Sequence, residues 1–179
     1  MLNKDLLEEG LSQLPLYLYE YIDTDELLFS ERIRYICETE CPMYGKSWAC
    51  PPGTGSITEC RAKCLNYKHA LLIATITEVN DIANIEETLS TRGDHEEITR
   101  MAADLVEEQT GKVYILSGEA CNICEKCAYP DEPCRFPERM HPCIESHAIV
   151  LSDLAEKHGI EFQYGGNVVT WFSLIFYND

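Results

Sequence analysis

Ala70-Leu71-Leu72-Ile73-Ala74-Thr75-Ile76 is a continuous apolar run. Its length and β-branched content predict a strand buried on both faces. Upstream, Leu16-Tyr17-Leu18-Tyr19-Glu20-Tyr21-Ile22 is rich in aromatic and branched residues and reads as a strand, and Ile57 to Leu65 fits a short helix. Downstream, helical patterning runs from about Ile82 to Leu89 and breaks at Thr91-Arg92-Gly93. It resumes with Ile98, Met101, Leu105 and Val106 at helical spacing, with Asp94 and Glu97 placed as an N-cap and its N3 partner and Gly111 as the stop. Val113-Tyr114-Ile115-Leu116 is the next strand. Strand, helices, strand predicts a right-handed crossover joining parallel neighbours. Further on, Pro142 opens a helix that runs to about His158 and closes at Gly159. Ile160 to Tyr164, a Gly165-Gly166-Asn167 turn and Val168 to Tyr177 read as a hairpin. The expectation is one α/β domain over residues 1–179, with a mixed sheet and loops that carry metal.

The chain has 179 residues, enough for a hydrophobic core without cross-links. No stretch reaches the length of a membrane span, and Met1 to Gly10 has no apolar core of a secretory signal, so a cytoplasmic location and no membrane partner are expected. Acidic side chains outnumber basic ones 31 to 14, for a net charge of −17. Such a polyanion repels nucleic acid and anionic lipid and attracts a basic docking face on a protein partner; it also simply keeps a protein soluble. Ten cysteines in a reducing compartment point to metal or catalysis, since disulfides rarely persist there.

Those cysteines form two blocks, 37–64 and 121–143. In the second, Cys121-x2-Cys124-x2-Cys127 precedes Cys134-Arg135-Phe136-Pro137. Three thiolates at this spacing wrap a loop around three corners of an iron–sulfur cube, and a more distant cysteine supplies the fourth. Ferredoxins share this wrapping mode, though their fourth cysteine follows sooner and is itself followed by proline. Structural zinc instead favours two separate Cys-x2-Cys knuckles, and this chain has none beyond the overlapping triplet. Cys143, beside Pro142, is an alternative fourth ligand, a thiol activated at a helix N-terminus, or a spare buried residue. His141 is a further candidate ligand; Glu145 and His147 read as helix-surface residues.

The first block supplies Cys37, Cys41, Cys50, Cys60 and Cys64, five thiols for four places. Cys60 and Cys64 share a face of the expected helix, so both or only one would bind. Prolines after Cys41 and Cys50 stiffen the loop. Trp48, Tyr35, Tyr44 and Tyr67 are candidates to shield a cluster, or core residues. Two look-alikes fail. Cys50-Pro51-Pro52-Gly53-Thr54-Gly55-Ser56-Ile57 lacks the first glycine, the lysine and the hydroxyl residue of a phosphate-binding loop. Cys37-x3-Cys41 begins like a radical S-adenosylmethionine motif, but Tyr44 stands where its third cysteine belongs.

Taken together, Cys41-Pro42-x-Tyr44-Gly45-Lys46-Ser47-Trp48-x-Cys50-Pro51-Pro52 and Cys121-x2-Cys124-x2-Cys127-x6-Cys134-Arg135-x-Pro137 resemble a cysteine-rich family of unknown function, described as predicted metal-binding proteins. The similarity runs from about Tyr35 to Gly159 and takes in Cys37, Cys41, Cys50, Cys121, Cys124, Cys127 and Cys134. It implies metal binding and supplies no activity.

The expected cofactors are two [4Fe–4S] clusters in an oxygen-sensitive protein that passes electrons to a redox partner. Three other readings stay open. They are an enzyme with an open cluster corner or reactive thiol, a cluster carrier or sensor, and an interaction module held by zinc.

Overall fold

The computed structural model describes residues 1–162 and 165–179. Its elements are helix α1 (Lys4–Leu11), strand β1 (Leu18–Asp23), helices α2 (Glu31–Thr39) and α3 (Ile57–Leu65), strand β2 (His69–Glu78), helices α4 (Ile85–Ser90) and α5 (Arg92–Thr110), strand β3 (Val113–Ser117), helix α6 (Leu151–Lys157) and strand β4 (Val168–Tyr177). The sheet order is β1-β2-β4-β3, and each ladder is antiparallel.

The apolar run 70–76 is indeed doubly buried. Ala70, Leu72 and Ala74 face one side, against Leu116, Phe172, Leu174, Phe176 and the apolar face of α6. Leu71 and Ile73 face the other, against α1 and α5 through Leu7, Leu11, Ala102 and Val106. The period of two in a strand produces this division. Sequence reading makes the sheet mixed, with the strands around 70–76 and 113–116 adjacent. They are parallel, but β4 lies between them and pairs antiparallel with both. Val168–Tyr177 is buried on both faces along most of its length, and only a central position satisfies that.

Three element expectations need correction. The hairpin arm expected at 160–164 is not a strand over 160–162, and its last two residues lie outside the described ones. Helix α5 begins at Arg92, with Asp94 inside its first turn, because α4 runs almost directly into it through a helical Thr91. Gly111, at φ +88°, ends it as expected. The single helix expected from Pro142 to His158 is a short 3-10 turn at Glu145–His147 followed by α6. Ala148 between them takes a left-handed φ of 60°, and Ile149 bridges to Phe29. That tertiary bridge holds the chain extended where helix would otherwise continue.

Candidate metal centres

Four thiols from distant parts of the chain line one cavity of about 190 Å³: Cys37, Cys41, Cys50 and Cys143. Helix α2, capped by the Ser30 hydroxyl, carries Cys37 near its end. The loop after it delivers Cys41 and Cys50, and Tyr44 lines the same space. Cys143 arrives by backbone pairing. Ser117 at the end of β3 donates its N–H to Pro142 O and accepts from Ile144 N–H, at 3.0 and 2.9 Å. Cys143 N–H then donates to Ala49 O at 3.0 Å, one residue from Cys50. Block two thus contributes a thiol to block one.

This centre is largely buried and acidic. Cys37, Cys50 and Cys143 are 8%, 3% and 5% exposed. Burial pushes the Cys37 thiol up to about 12, and the neighbouring Cys143 and Glu145 push the same way. Its bond with Cys50, then burial and Glu145, hold the Cys143 thiol well above its usual range. Glu145 lines the cavity and is itself raised by burial and by Glu119 across from it. Upward shifts at Cys37 and Cys143 favour their protonated forms, so a metal or cluster must displace those protons to bind.

Cys121, Cys124, Cys127 and Cys134 line a second cavity, together with Trp48, Phe136 and Met140. It measures about 20 Å³, room for roughly one water. The loop from residue 118 to 137 has no regular secondary structure and must open to admit anything larger. Its thiols are shifted in both directions. Burial raises the Cys127 thiol, but the N–H groups of Tyr129, Trp48 and Ala128 and the Ser47 hydroxyl outweigh it, and the thiol ends below its ordinary value. Cys121 is raised by burial, against a lowering pull from Arg92.

Loop 47–50 joins the two centres: Ser47 and Trp48 line the second cavity, and Cys50 lines the first. A span of three residues covers at most about 10–11 Å. Trp48 is fixed by a 3.0 Å bond from Nε1 to Glu132 O and an edge-on contact with Tyr129.

The remaining expected residues lie elsewhere. Cys60 and Cys64 are 0% exposed and line neither thiol cavity. Cys60 Sγ sits 3.4 Å from Thr54 O and 3.6 Å from Arg34 Nη2, and Cys64 packs in the core beside β2. His141 Nδ1 bonds Glu96 at 2.8 Å, apart from the thiol cavities. His147 is fully buried and bonds Tyr114 and Ser146; burial lowers it to about 3. Neither His147 nor the cavity-lining Glu145 is the surface residue that a continuous helix implied, because no such helix forms. Tyr35 is exposed, and Tyr67 stacks on Tyr114 in the core.

Sequence reading passed over Arg34, whose buried guanidinium donates to Gly55 O and Ser146 O and so ties α2 to both loops. It also passed over Arg92, Glu96 and Arg100, although their i,i+4 spacing on one helix was a usable signal. Among the described residues, no group of three or more His, Cys, Asp or Glu side chains is arranged to hold a single metal ion. No helix among them is long and apolar enough to cross a membrane.

No curated protein and no solved structure matches the chain. A family model does match, over residues 20–177, which include all ten cysteines. The chain belongs to the family described as predicted metal-binding protein (DUF2284).

Proposed function

We propose that the protein is an electron carrier that binds two [4Fe–4S] clusters, one on Cys37, Cys41, Cys50 and Cys143 and the other on Cys121, Cys124, Cys127 and Cys134. One observation carries this reading: eight of ten cysteines divide into two sets of four, each around its own cavity. Four thiolates per centre is the donor set of a cubane, one for each iron. Cys60 and Cys64 are the two left over.

Bound clusters supply one-electron chemistry; the chain holds them, tunes them and keeps water away. Buried Cys50 and Cys143 exclude solvent from the first centre, while Trp48 covers the second. The three-residue link from Ser47 to Cys50 keeps the centres adjacent, as internal transfer requires. A net charge of −17 suits docking to a redox partner with a basic face.

Protein prepared without oxygen should contain about eight iron and eight sulfide per chain, two cubes of four. Cys124→Ser and Cys143→Ser should each halve both contents, while Cys60→Ala and Cys64→Ala leave them unchanged. Zinc without sulfide would overturn the proposal. Retention of full iron by Cys143→Ser would overturn the assignment of the first centre.

A further inference from the structure

A third cavity, of about 230 Å³, opens beside the second thiol centre, with Cys121 in the wall of both. Three guanidinium groups line it, Arg92, Arg100 and Arg139, in a chain whose net charge is −17. The three cations repel one another across the pocket, and a bound anion would relieve that repulsion.

The charges balance incompletely. Among the described residues Glu96 is the only carboxylate in the wall, and its oxygens are already engaged. Oε1 accepts from Arg92 at 3.1 Å and from the Ser117 hydroxyl, and Oε2 accepts from His141 at 2.8 Å. Glu97 holds Arg100 through Nε and Nη2, leaving Nη1 only a distant 3.9 Å approach to Glu96. Arg92 is 3% exposed and uses one hydrogen each to Gly118 O, Asn122 Oδ1 and Glu96, three of its five donors. Among the described residues, the Arg139 side chain has neither an ion pair nor a hydrogen-bond partner. Structural work occupies Arg92, whereas Arg139 is exposed and keeps its guanidinium donors for water or a ligand.

The start of α5 adds to this. Gly93 lines the cavity with open space where a Cβ would stand, and Thr91 gives the helix no side-chain cap. The positive end of α5 lies at the same cavity, partly offset by Asp94 in its first turn.

The geometry points to a binding site for a small oxyanion, held by Arg139, Arg100 and the unspent donors of Arg92. The volume corresponds to about seven or eight waters, so the ligand has roughly that many non-hydrogen atoms at most. A four-carbon dicarboxylate fits, as does an inorganic oxyanion with water. Binding stands on the arginines alone; that the anion lies against a reducing centre rests on the cluster reading through Cys121. The site would then hold an anion whose charge adjusts the centre's potential.

The test is calorimetric titration of sulfate and, separately, succinate into the metal-loaded protein at low ionic strength, with chloride as the control. Saturable one-to-one binding of at least one anion is expected. Arg139→Gln should weaken it about tenfold, the loss of one charge-assisted contact. Arg32→Gln, on the exposed side of α2, should not change it. Saturation by succinate alone identifies a dicarboxylate, by sulfate alone an inorganic anion, and by both a general oxyanion site. Failure of both to saturate, or unchanged binding by Arg139→Gln, overturns the site. Iron and sulfide measured on the same material separate the two ideas. Anion binding by iron-free protein would leave this site standing and sink the clusters, and clusters without anion binding would do the reverse.

Discussion

His95 faces the sheet from the first half of α5 and is 1% exposed. Its Nδ1 meets the Thr75 hydroxyl on β2 and its Nε2 the Ser173 hydroxyl on β4, both at 2.8 Å. The face of α5 that packs on the sheet is His95, Thr99, Ala102, Ala103 and Val106. Of the expected stripe Ile98, Met101, Leu105 and Val106, Val106 is fully buried, yet Met101 is 47% exposed. Small and polar side chains let the helix approach hydroxyls on the strands, which hydrophobicity alone does not reveal. Burial lowers the pKa of His95 to about 4, from an unfolded value near 6.5. Between those values the unfolded chain binds the extra proton, so the contribution is complete above about 6.5 and is lost as pH falls towards 4. We expect the gap in denaturant stability between wild type and His95→Gln to shrink by roughly 3 kcal/mol from pH 7 to pH 4. A gap that stays constant across that range would mean the imidazole is not held neutral.

Arg34 joins elements more than it serves its own helix. From α2 it reaches Gly55 ahead of α3 and Ser146 in the turn after Cys143. Arg34→Met strands two carbonyls and should cost about 3 kcal/mol, measured by chemical denaturation. Because α2 carries Cys37 and the turn follows Cys143, metal should leave the first centre before the second in this variant. Equal loss from both would show that the damage is global. Helix α3 was legible at both ends, Ile57 and Leu65, and in the structure Ser56 and Glu59 close its start as a capping box. The helix expected over 142–158 was not legible as two pieces. A long-range bridge from Phe29 to Ile149 interrupts it, and local pattern carries no record of that partner.

Across the whole molecule the two proposed clusters sit in opposite fields. The first is buried, with Glu145 and Glu119 in its wall, and these oppose an added electron. The second has Arg92 acting on Cys121 and four hydrogen bonds to Cys127, which favour one. Redox titration followed by EPR should show two steps, with the higher-potential step lost in Cys124→Ser and the lower in Cys143→Ser. The opposite assignment would mean that local charge does not order the two centres.

By itself the sequence determined that this chain belongs among predicted metal-binding proteins, that the cysteines come in two groups, and that a doubly buried strand over 70–76 anchors an α/β domain. Thiol spacing within one loop and apolar runs within one strand are local properties, so they survive being read in one dimension. Tertiary structure alone decided that Cys143 joins Cys37, Cys41 and Cys50, that Cys60 and Cys64 turn into the core, and that Val168–Tyr177 enters between two strands far from it in the chain. Each of those outcomes depends on backbone hydrogen bonds between distant segments, such as Cys143 to Ala49. Their partners are chosen by how the folded chain buries its apolar faces and satisfies its amides, and residue order does not encode that choice locally.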